Sequence, residues 1–289
     1  MNRFIKRTLG AFIVLSVIVI AALAVAVYQN NKTTTSPTKT ELQSSLDNAV
    51  EWLYINQQSI MRDHNSALWW MLKEAADISG SNRLKEFYQK YKSNHLDKMP
   101  DNVWTPYFKP HYKPYVPPDI TEKLHDYQIF FIYGLSCDKY LGEEPVIHKQ
   151  LKSDFCRNHF FHPRCVTHQQ MGVRLLQQRS CGNHDQLSTK LLDIIDTEIT
   201  WDFRVTDSYL QRALMLAEGG RIRTLKPIWQ KRILDAQMQD GGWSDFFPLL
   251  SLGSKQIGFT STLPAIGPKR SDFHATAQGI WLMALLVNQ

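Results

Sequence analysis

The chain has 289 residues, 43% of them hydrophobic, and its 33 basic residues against 27 acidic ones give a formal charge of +6. Taking away residues 1–28 removes Arg3, Lys6 and Arg7 and no acidic residue, so the remainder carries only +3, scattered rather than gathered into a stripe. That charge excludes nucleic acid as an expected partner, while about 260 remaining residues suffice for one large domain with its own core.

From Leu9 to Tyr28 the sequence is apolar and uncharged. At about 1.5 Å per residue this stretch crosses the roughly 30 Å hydrocarbon core of a bilayer. Arg3, Lys6 and Arg7 precede it and no basic residue follows until Lys32. The positive-inside rule therefore leaves residues 1–8 in the cytoplasm, makes residues 9–28 a transmembrane anchor in contact with lipid, and sends the main domain to the periplasm or outside the cell. A single-pass protein of a bacterial inner membrane is the expected setting. A signal peptide cleaved near Ala22-Leu23-Ala24 is the rival reading, disfavoured because the apolar run exceeds a usual signal core. Residues 29–40 hold almost nothing that can be buried and read as a flexible linker, leaving residues 41–289 as one extracytoplasmic domain.

That domain reads as all-α. Leu42, Leu46, Ala49, Val50 and Leu53 follow a helical stripe, and no run demands a sheet. The helices are of two kinds. Glu41 to Gln57, Ser81 to Tyr91, Ser188 to Thr197 and Leu225 to Gln239 are amphipathic, whereas Ser66 to Ala76, Tyr127 to Leu135, Tyr209 to Ala217 and Ala275 to Val287 are apolar nearly all round. A helix apolar on every side must be buried on every side, so alternating outer and inner helices in an α/α toroid are the economical packing. Two irregular stretches interrupt them. Residues 99–119 carry six prolines among Trp104, Tyr107, Phe108, His111, Tyr112 and Tyr115, a strap expected to pack across the surface or to receive a partner. Residues 246–272 are a candidate lid.

Five inner starts each carry a His or Asp: His64, His125-Asp126, His168, Asp207 and His274. In a toroid such starts would ring one mouth of the central cavity. Imidazole and carboxylate serve both as metal ligands and as general acids and bases. His168, Asp207 and His274 are thus candidates to bind zinc or another divalent transition metal or to orient a substrate, with His125 or Asp126 exchanging a proton. The bland alternative is helix capping. A two-carboxylate glycosidase using Asp126 and Asp207 is a weaker option. Aromatic residues on the inner helices suit a small-molecule or peptide ligand in the cavity. Cys156, His159, His162, Cys165 and His168 recur every third residue, followed by Cys181 and His184. This spacing admits a zinc site, but Pro163 interrupts any helix there, and four cysteines in an exported protein favour disulfides, with Cys165–Cys181 or Cys137–Cys156 as possible pairs.

Ala236-Gln237-Met238-Gln239-Asp240-Gly241-Gly242-Trp243 resembles the Gln-to-Trp motif of the terpenoid cyclases and their toroid relatives. Phe273-His274-Ala275-Thr276-Ala277 resembles an inner-helix start of the same superfamily, protein prenyltransferase β subunits included. The resemblance implies an α/α toroid, with His274 at the place of a zinc-binding histidine. The Asp-x-Cys partner of the prenyltransferases and the Asp-x-Asp-Asp acid motif of the cyclases are absent, so neither chemistry follows. The motif of Gln237 to Trp243 reads physically as a helix end folded over a Gly-Gly turn, a structural role. An enzyme with a His/Asp-lined cavity is thus the leading expectation, and a non-catalytic envelope scaffold using the strap is the alternative.

Overall fold

A computed structural model describes residues 3–158, 162–253 and 255–289. It is mostly helical, with 65% of residues in helices. Among the described residues ten helices have ten residues or more: α1 (Arg3–Asn31), α2 (Lys39–Ile55), α3 (Ser66–Ser79), α4 (Asn82–Tyr91), α5 (Asp126–Ser136), α6 (Cys165–Gln178), α7 (Asp185–Trp201), α8 (Asp207–Leu216), α9 (Pro227–Ala236) and α10 (Phe273–Val287). Their starts follow the expected local chemistry. Thr38 and Glu41 form a reciprocal capping box before α2, Asn65 Oδ1 accepts from the Ala67 amide at α3, and Asp272 Oδ1 accepts from the Ala275 amide at α10. Helix α3 stops where Gly80 turns left-handed, at φ 66°.

Helix α10 packs on α2, α3 and α8; α8 packs on α6 and α7, and α6 packs on α5. A short turn at Thr105–Tyr107 touches both α3 and α5. Every residue of α8 is buried, its polar Asp207, Ser208, Gln211 and Arg212 included, as is all of Ala275–Ala284 in α10, the latter in keeping with its nearly all-round apolar sequence. At the α5–α6 crossing the backbones approach closely over glycines. A Cβ on Gly172 would stand 2.2 Å from Phe130 Cδ1, and one on Gly134 would stand 2.8 Å from Leu175 Cβ. We expect Gly172→Ala to cost about 1–3 kcal/mol by overpacking, read as a lower urea midpoint; an unchanged midpoint would show that the two helices can slide apart freely.

The Gln237 to Trp243 segment is structural, as its local chemistry suggested. Gln237 Nε2 donates to the carbonyls of Ser45 and Gly241, and Trp243 Nε1 donates to the carbonyl of Ile233. The Trp243 ring lies against Gly279, where an added Cβ would come within 2.5 Å of the ring. These contacts join α9, α2 and α10.

Three expectations are corrected. The candidate lid contains a three-stranded antiparallel sheet, β1 (Phe247–Leu252), β2 (Lys255–Phe259) and β3 (Pro264–Gly267), in that order. Its pattern was hidden because Pro248, which lacks an N–H, sits at a register irregularity and because several apolar side chains stay exposed. The disulfides are Cys137–Cys181 and Cys156–Cys165 rather than either pair anticipated. The helix ends bring these pairs together, with Cα separations of 5.5 and 5.6 Å. With all four cysteines so engaged, the three-residue Cys/His spacing does not describe a thiolate zinc site; His159 lies outside the described residues.

The third correction concerns residues 29–40. Gln29 to Asn31 continue α1, and Asn30 is fully buried. Its Nδ2 donates to the Ile199 carbonyl at 2.8 Å, Tyr209 Oη donates to its Oδ1 at 2.9 Å, and Trp229 Nε1 caps its backbone carbonyl at 3.0 Å. Lys226 and Thr200 similarly hold Asn31. Pro37 is buried and α2 already starts at Lys39. A polar amide whose every bond is met inside the domain is a clamp, not a tether. Before the clamp most described side chains of α1 are exposed, and Phe12–Asn31 are long and apolar enough to cross a membrane. One N-terminal apolar helix and two disulfides are the marks of a single-pass membrane or secreted protein.

Candidate functional site

A cavity of about 360 Å³ opens where the first turns of the inner helices meet. His64 and Asn65 come from the start of α3, Tyr127 and Gln128 from α5, His168 from α6, Gln211 from α8 and His274 from α10. Apolar walls are supplied by Met71, Phe131 and Met171, and Trp104 of the proline strap closes one side.

Asp207 stands directly behind His274. It is almost wholly buried in the first turn of α8, and its Oδ2 accepts from His274 Nδ1 at 3.0 Å. Arg164 Nη1 reaches the same oxygen at 3.5 Å. On the other side, Ser261 Oγ is in hydrogen-bond contact with Oδ1 of both Asp207 and Asp245. Two carboxyls sharing one buried place cannot both ionise readily. Burial, followed by the neighbouring Asp207, pushes Asp245 up to about 7. Burial also opposes ionisation of Asp207, but hydrogen bonds from His274 and Asp245 and the charges of His274 and Arg164 outweigh it and draw Asp207 down to about 2. Of the two, Asp245 holds a proton more readily and Asp207 is the more readily ionised.

The two imidazoles in the cavity are driven in opposite directions. Burial disfavours a charge on His274, yet the hydrogen bond and charge of Asp207 prevail and raise its pKa. His168 stacks on Tyr127 with ring centres 4.4 Å apart and meets Phe131 edge-on. That burial, with the charges of His274 and Arg164, pushes His168 down to about 3. The site therefore sets an imidazole of raised proton affinity, His274, beside one held neutral, His168. With Nδ1 turned to Asp207, Nε2 is the nitrogen of His274 left for the cavity.

Of the sequence candidates, the structure brings His64, His168 and His274 to one cavity, with Asp207 behind. His125 and Asp126 are exposed outside it; His125 begins α5 and its amide donates to Gln128 Oε1. The proton-exchange role expected of that pair is corrected, because Tyr127 and Gln128, one and two residues further along the first turn, are the ones that face inward. The expected metal set His168, Asp207 and His274 is not drawn together as a cluster: Asp207 Oδ2 accepts from His274 and Arg164, and among the described residues no three His, Cys, Asp or Glu side chains are placed to hold a metal ion. The Asp126–Asp207 glycosidase pair fails because one carboxylate is exposed and the other sealed.

Sequence reasoning missed Asp245, Ser261, Arg164 and Gln211. Arg164 had a signal: a cation just before a helix opposes the dipole unless an anion holds it. Gln211 had one also, as a polar residue inside an apolar helix; Thr167 Oγ1 donates to its Oε1 at 2.8 Å. Asp245 and Ser261 come from irregular segments and had none.

No protein-family model, curated protein or solved structure matches this chain.

Proposed function

We propose that the chain is a membrane-anchored enzyme whose cavity performs general acid–base chemistry on a small, uncharged substrate with an apolar face. The observation that carries this reading is the Asp207–His274 pair opening on a cavity that also holds a neutral His168. Groups whose surroundings drive their proton affinities apart are how one site supplies both a base and a neutral hydrogen-bonding partner. Here Asp207 fixes the tautomer of His274 and stabilises its cation, so Nε2 takes a proton from water or a substrate hydroxyl. His168 stays uncharged and hydrogen-bonds the reacting group. Asn65, Gln128 and Gln211 offer amides for orientation, and among the described residues no carboxylate or guanidinium lines the cavity.

The same reading places residues 1–8 in the cytoplasm and the helical body in the periplasm or outside the cell, and takes the ring α3, α10, α8, α6 and α5 as the inner shell of an α/α toroid like that of the terpenoid cyclases. The packing order of those helices supports it. A scaffold presenting the strap to a partner is less well supported. Arg179 donates to the carbonyls of Pro106 and Pro110, and Tyr107 is buried against Trp70, so the strap is bolted down as a wall of the cavity.

The pair is tested by titrating the imidazoles by NMR in the full-length protein in detergent. His274 is expected above the ordinary value of about 6.5 and His168 below it, with Asp207→Asn returning His274 toward that value. Because native His274 binds its proton more tightly than the unfolded chain, it adds stability below pH about 6.5 and loses it as pH rises through its native pKa. For catalysis, a panel of small chromogenic esters and glycosides is the probe. His274→Ala should lower kcat about 10²–10⁴-fold, and His125→Ala should not. Equal rates in the wild type, His168→Ala and His274→Ala would end the proposal.

A further inference from the structure

A second cavity, of about 650 Å³, lies where α1 leaves the body, and it has no part in the acid–base site. Leu23 of α1 lines it, together with Trp201 at the end of α7 and Phe259 of β2. Leu23 precedes Tyr28 by five residues, about 7.5 Å along a helix axis, so this wall descends to the level of the acyl chains if α1 spans the bilayer. The clamp on Asn30 fixes that depth, and Ala26 and Val27 are already half-buried against the body.

Its surroundings suit a membrane surface. Trp201 and Tyr28 are each 67% exposed, and both belong to the residue types that collect at the bilayer interface. The sheet that supplies Phe259 leaves Leu249, Leu250, Leu263 and Ile266 more than half exposed, an apolar group that costs free energy in water. Within the cavity, Arg157, Arg204 and Arg212 face two carboxylates, Glu198 and Asp202. Arg204 and Arg212 are tied to Asp202, and Arg212 also to Glu198. Arg157 makes no ion pair with a described residue, so one positive charge is in excess beside an apolar wall.

We infer that this cavity binds an anionic phospholipid of the leaflet that faces the body, its acyl chain along Leu23 and Trp201 and its phosphate at Arg157. The inference rests on α1 spanning a bilayer but not on the acid–base site. Bound lipid would seat the body on the membrane and complete the apolar surface that α1 alone leaves open.

The test uses the full-length chain in phosphatidylcholine vesicles carrying photoactivatable phosphatidylglycerol, with photoactivatable phosphatidylcholine as comparison. Crosslinks should concentrate on peptides containing Leu23 and Trp201 and should favour phosphatidylglycerol. Arg157→Glu and Trp201→Ser, both at exposed positions, should each lower them about tenfold, the effect of losing one charge-assisted contact or its apolar equivalent. Labelling spread evenly around α1, unchanged in both variants, or indifferent to the headgroup would overturn the lipid site. Loss of the headgroup preference on adding inorganic phosphate would mark an anion site rather than a lipid site and overturn it as well. A chain that does not float with the vesicles would overturn the membrane span itself, and the lipid site with it, whereas a chain that floats without localised labelling refutes the lipid site alone.

Discussion

Arg212→Met should destabilise the protein by about 3–5 kcal/mol, the usual cost of stranding a buried charge. Arg212 and Asp202 are both nearly sealed from water, at 4% and 7% side-chain exposure, with Nη1 to Oδ2 at 2.7 Å. The same guanidinium donates through Nε to Glu198 at 2.9 Å and through Nη2 to the Pro163 carbonyl at 3.1 Å. Removing it leaves Asp202 with Arg204 alone and leaves Glu198, whose burial already raises its pKa, without its cation. The urea midpoint in mild detergent should fall by roughly 1 M or more. Asp202→Asn in the Arg212→Met background should recover part of the loss, since it removes the stranded anion. A double variant that loses the full sum of the two single effects would show that the pair contributes no coupling.

The second large effect concerns the disulfide Cys137–Cys181, which ties the end of α5 to the segment following α6. It spans 44 residues, against 9 for Cys156–Cys165. Loop entropy in the unfolded chain assigns about 4 kcal/mol to the longer bridge and about 2.5 kcal/mol to the shorter. Replacing Cys137 and Cys181 by Ser should therefore lower Tm by about 10 °C in a domain of this size, and more than the same change at Cys156 and Cys165. The reverse order, in calorimetry of the two double variants, would show that native packing rather than loop length governs their contributions.

Much of the helical framework was legible from local pattern. The segments read as apolar all round became the buried α3, α5, α8 and α10 because nothing but interior accepts such a surface. The recurrence of His and Asp at inner starts pointed to the right neighbourhood, since helix starts that share one end of a packed layer share a space. It could not tell which first-turn residue faces inward. A helix turns by 100° per residue, so His125 and Asp126 fall outside while Tyr127 and Gln128 fall inside. The cysteine pairing was equally closed to inspection, because four cysteines permit three connectivities and spacing ranks none of them.

The sequence by itself determined that this is a largely helical protein with one apolar N-terminal helix, that its inner helices are buried, and that imidazoles and a carboxylate stand at their starts. Those properties follow from hydrophobic periodicity and capping, which act within a few residues. Only the tertiary structure decided that Asp207 stands behind His274 in hydrogen-bond contact with it, that Asp245 and Ser261 share its buried corner, and that Asn30 turns an apparent tether into a clamp. Each of these depends on groups far apart in the chain, Asn30 and Tyr209 by 179 positions, and such pairings are set by how the helices pack and not by any local pattern.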